Sequence, residues 1–147
     1  MRKTERPGMT DSPAYPMSFA GGCFELLGHR ERSGAVDFKL RIGQGSELVP
    51  LRLLDAIASV RPTLREHACT ADDTGSPMTL PHLIEHVAID LLVEQRGGGD
   101  EPVAGYTAWL DRRGGIARIT LSSTDGEATR GAMLAACALV AQYSEDV

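Results

Sequence analysis

His82-Leu83-Ile84-Glu85-His86 sets two imidazoles and a carboxylate within a single short run of the chain. On a helix turning about 100° per residue, His82 and His86 lie about 40° apart around the axis and about one turn along it, so both rings can reach one ion. Glu85 falls about 60° from His82 on the other flank, placed to take a proton from a water activated by that ion rather than to fill its coordination shell. Asp90, one further turn past His86, can support a ligand or be one. The simpler alternative makes both histidines polar residues on the wet side of an amphipathic helix. The helical wheel weighs against it. Leu83, Ile84, Val87, Ala88 and Leu91 form a core face, yet Ile89 and Val93 fall on the opposite side, between the histidines and Asp90. Two β-branched aliphatics there imply that this side is also partly covered, as on a helix that lines a pocket.

A catalytic zinc takes three protein ligands and keeps one position open, so a third donor must come from elsewhere in the chain. Glu66-His67-Ala68-Cys69 supplies the candidates, just before the loop that leads into the motif. His67 ranks above Cys69, because a lone cysteine is more often a small buried hydrophobe. Glu66, Cys69 and Asp90 are then candidates for supporting the ligands or contacting substrate. From Glu66 through Gln95 there is no Lys or Arg, while Glu66, Asp72, Asp73, Glu85, Asp90 and Glu94 are acidic. Folded around a pocket, that stretch attracts a divalent cation or a guanidinium; otherwise it is a solvated acidic surface. His29 stands alone near a turn and reads as a surface residue.

These side chains need a scaffold, and its elements follow from periodicity. Phe19 to Leu27 reads as a strand bent at Gly21-Gly22, and Val36, Phe38, Leu40 and Ile42 alternate with Asp37, Lys39 and Arg41 as a half-buried strand. Gly45-Ser46 opens an expected helix through about Val60, with Pro50 in its first turn. A second helix spans about Leu80 to Gln95, with Thr79 as a possible cap and Gly97-Gly98-Gly99 ending it. Val103 to Leu110 and Ile116 to Ser122 predict a second hairpin. Thr124 and Glu127 have capping-box spacing before an Ala-rich helix running to about Tyr143. The order predicts an α+β fold: a mostly antiparallel sheet of about four strands in two hairpins, with about three helices layered on it. The proline-bearing stretch 1–17 is expected to be a mobile tail, and 18–147 a single domain.

Composition narrows the function classes. The 147 residues carry 15 Lys and Arg against 20 Asp and Glu, a net charge of −5, which disfavours a sequence-independent nucleic-acid binder or an anionic-membrane binder. The apolar run Ala132 to Ala141 is too short for a membrane span. Met1 to Arg6 is not followed by an apolar segment, so no signal peptide is expected. Three cysteines at wide spacings point away from a disulfide framework and toward a reducing, cytoplasmic location.

Leu80-Pro81-His82-Leu83-Ile84-Glu85-His86-Val87-Ala88-Ile89-Asp90-Leu91, preceded by Leu64-Arg65-Glu66-His67-Ala68-Cys69-Thr70, resembles the N-terminal domain of cyanophycin synthetases. That domain carries a Leu-x-Glu-His-x-Cys-Ser stretch followed by a His-Val-Ile-Glu-His-Val-Ala-Leu-Glu-Leu-Gln helix. The helix is also similar to that of inverted zinc-hydrolase (H-x-x-E-H) proteins. The resemblance implies that domain's α+β layer, with His67, His82 and His86 as zinc ligands and Glu85 as the base. It further implies a ligand that is multi-L-arginyl-poly-L-aspartate or another Arg-bearing peptide. The family's Glu is Asp90 here, its Gln is Leu92, and its aromatic run before the helix is reduced to Pro77-Met78-Thr79. Its ATP-grasp and Mur-ligase-like domains have no counterpart in these residues. The expectation is therefore a zinc-dependent amide hydrolase acting alone or docked on a synthetase-like partner. The alternatives are a non-catalytic module binding the same polymer or such a partner, with structural histidines, and an unrelated metal-dependent lyase or hydrolase that shares only the helix.

Overall fold

The alternation of apolar and charged residues from Val36 to Ile42 places that strand at the middle of the sheet. The structure, a computed structural model, describes residues 15–66, 78–95 and 103–146. Its strands are β1 (Met17–Phe19), β2 (Phe24–Arg32), β3 (Ala35–Ile42), β4 (Gly105–Asp111) and β5 (Ile116–Ser122). They form one antiparallel sheet in the order β1-β2-β3-β5-β4, so the two expected hairpins join through β3 and β5, with Phe38 opposite Ile119. Among the described residues, three helices, α1 (Leu51–Val60), α2 (Leu80–Gln95) and α3 (Gly126–Asp146), complete an α+β fold. Val36, Phe38, Leu40, Ile119 and Leu121 are buried on the helix-covered face, and their outward neighbours are polar or charged.

The fifth strand comes from the N-terminal side. A turn of 3-10 helix at Ala20–Gly22 folds Met17–Phe19 back onto Phe24–Leu26, dividing what reads as one bent strand into β1 and β2. Tyr15 and Met17 pack against the core, and residues 1–14 of the expected tail lie outside the described residues. The helix expected from Gly45 starts only at Leu51, with Pro50 in extended conformation before it. Residues 47–49 are instead tied to the start of α2: Leu80 N–H donates to Glu47 C=O (2.8 Å) and Val49 N–H to Met78 C=O (2.9 Å). Those backbone bonds outweigh the helical propensity of the segment.

α3 is Ala-rich because it must lie close to α2. Ala132, Met133, Ala136, Cys137, Val140 and Ala141 are buried at helical spacing, and small side chains permit that approach. Its cap is Asp125, whose Oδ1 accepts the Ala128 N–H (3.1 Å), rather than Thr124. Burial pushes the Cys137 thiol up to about 12, so it behaves as a small hydrophobe. Among the described residues, no helix is long and apolar enough to cross a membrane.

Candidate functional site

α2 runs from Leu80 to Gln95 and is buried on almost every side. Leu83, Ile84, Val87 and Ala88 lie in the core, while on its other side Ile89 is 8% exposed, His86 7% and Asp90 2%. The cover inferred from Ile89 and Val93 is therefore present. His82 and His86 meet edge to face, with ring centroids 4.8 Å apart and planes at 65°. Two imidazoles on one tetrahedral zinc, each nitrogen about 2.0–2.1 Å from the ion, bring their centroids to about 5 Å. The centroid spacing of the pair matches that distance.

Glu85 leaves the helix on the flank facing β4. Its Oε1 accepts a 2.5 Å hydrogen bond from the Thr107 hydroxyl. Gly105, two residues earlier on the same strand, makes the close approach possible: a Cβ there would lie 2.6 Å from Glu85 Oε2 and 2.8 Å from Ile89 Cδ1. A glycine at the start of a strand is a sequence signal for such contact, but nothing local links Thr107 to Glu85. Burial holds the Glu85 carboxyl above its ordinary pKa, outweighing the downward pull of the Thr107 hydrogen bond and of His82.

Asp90 does something different. Arg61 donates to its Oδ2 through Nε (2.7 Å) and a terminal nitrogen (2.6 Å), and the Thr63 hydroxyl donates to Oδ1 (2.6 Å). Arg61 also reaches Glu94 Oε1 (3.1 Å). The carboxylate expected to support or join a metal shell is thus engaged in tying α2 to the 3-10 turn Pro62–Glu66. This corrects the simple picture of an acidic stretch free of cations. Arg61, outside the stretch in sequence, satisfies two of its carboxylates in space, and Glu85 is inside the fold.

His67 and Cys69, the candidates for third ligand, lie outside the described residues, as do Asp72 and Asp73. Glu66 closes the turn that leads to them, and its side chain is likewise outside the description. Among the described residues, no group of three His, Cys, Asp or Glu side chains could hold a metal ion. His82 and His86 are brought together, with Glu85 beside them. His29, expected at the surface, instead sits within β2 with its side chain 15% exposed, sharing a hydrogen bond between its Nδ1 and the Tyr15 hydroxyl (2.7 Å) and packing against Phe38. The register shift between Leu26 and Gly28 puts it there, turning His29 to the same face as Phe38, its partner on β3.

No family model, curated protein or solved structure matches the chain.

Proposed function

We propose that this protein is a zinc-dependent amide hydrolase acting on cyanophycin-like, Arg-bearing polymer, with its centre on α2. The observation that carries the proposal is the edge-to-face pair of His82 and His86 beside the buried Glu85 carboxyl. His82 and His86, with His67 as the third donor, would hold the ion. When bound, zinc polarises an amide carbonyl and lowers the pKa of a water.

The chain's own groups supply the rest. Glu85 takes a proton from the attacking water and passes it to the leaving amide nitrogen. Burial raises that carboxyl's pKa above its ordinary value, which makes it a stronger proton acceptor than an exposed glutamate. Thr107 fixes the carboxyl's rotation, and Gly105 leaves room for it. The Arg61–Asp90 pair and Thr63 anchor the turn that precedes His67, so they are positioning residues. The Arg-bearing substrate and the contact roles of Glu66 and Cys69 come from the family resemblance, as does docking on a synthetase-like partner. The reducing, cytoplasmic setting rests on the wide spacing of the three cysteines in the sequence.

The test compares wild type, Glu85→Gln and His82→Ala on multi-L-arginyl-poly-L-aspartate, with metal content measured in each. Wild type releases short peptides. Glu85→Gln keeps its metal and loses about 10²–10⁴-fold in rate, and His82→Ala loses both. Metal-free protein with unchanged turnover in both variants overturns the proposal. A second reading, a polymer-binding module without catalysis, draws on the satisfied state of Glu85, which already holds a Thr107 hydrogen bond. It predicts calorimetric binding of an Arg-bearing peptide that survives chelation, with no cleavage.

A further inference from the structure

Among the described residues, all three helices pack on one face of the sheet, and the opposite face is built from charge. Its outward positions on β2, β3 and β5 hold five cations, Arg30, Arg32, Lys39, Arg41 and Arg118, against two carboxylates, Glu25 and Asp37. That excess stands out in a chain of net charge −5. Both carboxylates are already engaged. Arg41 donates to Glu25 (3.0 Å), while Asp37 receives Arg32 through two nitrogens (2.9 and 3.2 Å) and the Thr120 hydroxyl (2.7 Å). Arg30, Lys39 and Arg118 remain in excess, with Arg30 no closer than 3.9 Å to Asp37.

These three cations line one cleft of about 530 Å³, together with Asp37, Gly28 and Leu110. The register explains the hollow. Gly28, Lys39 and Arg118 are direct cross-strand partners, and a bulge beside Gly28 shifts β2 at this point. A Cβ on Gly28 would meet nothing within 4 Å, so the missing side chain leaves the floor open beside Lys39, whose other neighbour in the row is Arg118. Leu110, 46% exposed, contributes an apolar wall. The volume is that of a small-molecule site, and guanidinium and ammonium groups beside an apolar surface suit an anionic head on an apolar body.

We propose that this cleft binds a small organic anion, its phosphate or carboxylate head taken by Lys39 and Arg118 with Arg30 at the mouth, and its apolar part against Leu110. It lies across the sheet from α2 and is independent of the hydrolytic reading.

The test titrates the full-length protein with phenyl phosphate, benzoate and neutral phenol, followed by amide NMR shifts. At least one of the two anions is expected to bind saturably, shifting Gly28, Lys39 and Arg118, while phenol does not. Which head binds more tightly identifies the source of the charge. Affinity should fall about tenfold in Lys39→Ala and in Arg118→Ala, and again in 0.5 M salt. Gly28→Val keeps every charge but fills the floor, and should abolish binding with an unchanged melting temperature. Saturation by neither anion, or binding that is equal in wild type and all three variants, overturns the proposal.

Discussion

Glu85 and Asp90 are two buried carboxylates on one helix, 6% and 2% exposed, and they meet opposite fates. Asp90 faces a guanidinium and a hydroxyl, and its hydrogen bonds join α2 to the turn at Pro62–Glu66. Glu85 faces a strand that offers it one hydroxyl and the space left by a glycine. A carboxylate held by an arginine serves as an anchor. One held by a threonine in a dry setting has its pKa raised and can exchange a proton. The difference lies in what each flank of the helix packs against, not in the residues themselves.

The sharpest way to break the contrast is Asp90→Ala, which leaves the half-buried Arg61 with Glu94 alone and Thr63 without its acceptor. It should cost about 3 kcal/mol in urea unfolding, whereas Glu85→Gln, which keeps shape and acceptor, should cost far less. Equal losses would erase the distinction. Next is Gly105→Ala, whose methyl group must displace Glu85 or Ile89; about 2 kcal/mol of destabilisation is expected, measured the same way. Thr107→Val removes the one hydroxyl on the Glu85 carboxyl. About 1–2 kcal/mol should go with it, and a double-mutant cycle with Glu85→Gln should show that the two losses are not additive.

The smallest effect contrasts α2 with the charged side of the sheet. Asp37 is held below the ordinary carboxylate range, first by the Arg32 hydrogen bonds and then by Thr120. Because its folded pKa is depressed, its contribution is present above the ordinary aspartate value and is lost as pH falls through the folded one. Asp37→Asn should therefore cost about 1 kcal/mol at pH 7, a modest figure because Arg32 is half exposed, and nothing at the acid end. Thermal melts from pH 7 to pH 2 check it.

Much of this was legible beforehand because it is written in local periodicity. β3, the second hairpin and the Leu80–Gln95 helix follow from spacing alone, as does the pairing of His82 with His86 one helical turn apart. What spacing could not reveal depends on contacts between residues distant in the chain. Arg61 is 29 residues from Asp90, and Thr107 is 22 from Glu85, so neither partner has a local signature. The early start predicted for α1 failed for a related reason. Its first turn is held in extended form by backbone bonds to Met78 and Leu80, which helix propensity does not register. His29 turns inward through the bulge between Leu26 and Gly28, a break in the alternation that an isolated histidine does not announce.

The central claim is that His82 and His86 share an ion with Glu85 beside them rather than within its shell. The most direct measurement is zinc stoichiometry, by elemental analysis after equilibrium dialysis, on wild type, His82→Ala, His86→Ala and Glu85→Gln. One zinc per chain is expected in wild type and in Glu85→Gln, with loss in both histidine variants. Zinc retained equally in all four proteins, or absent from folded wild type, would contradict it.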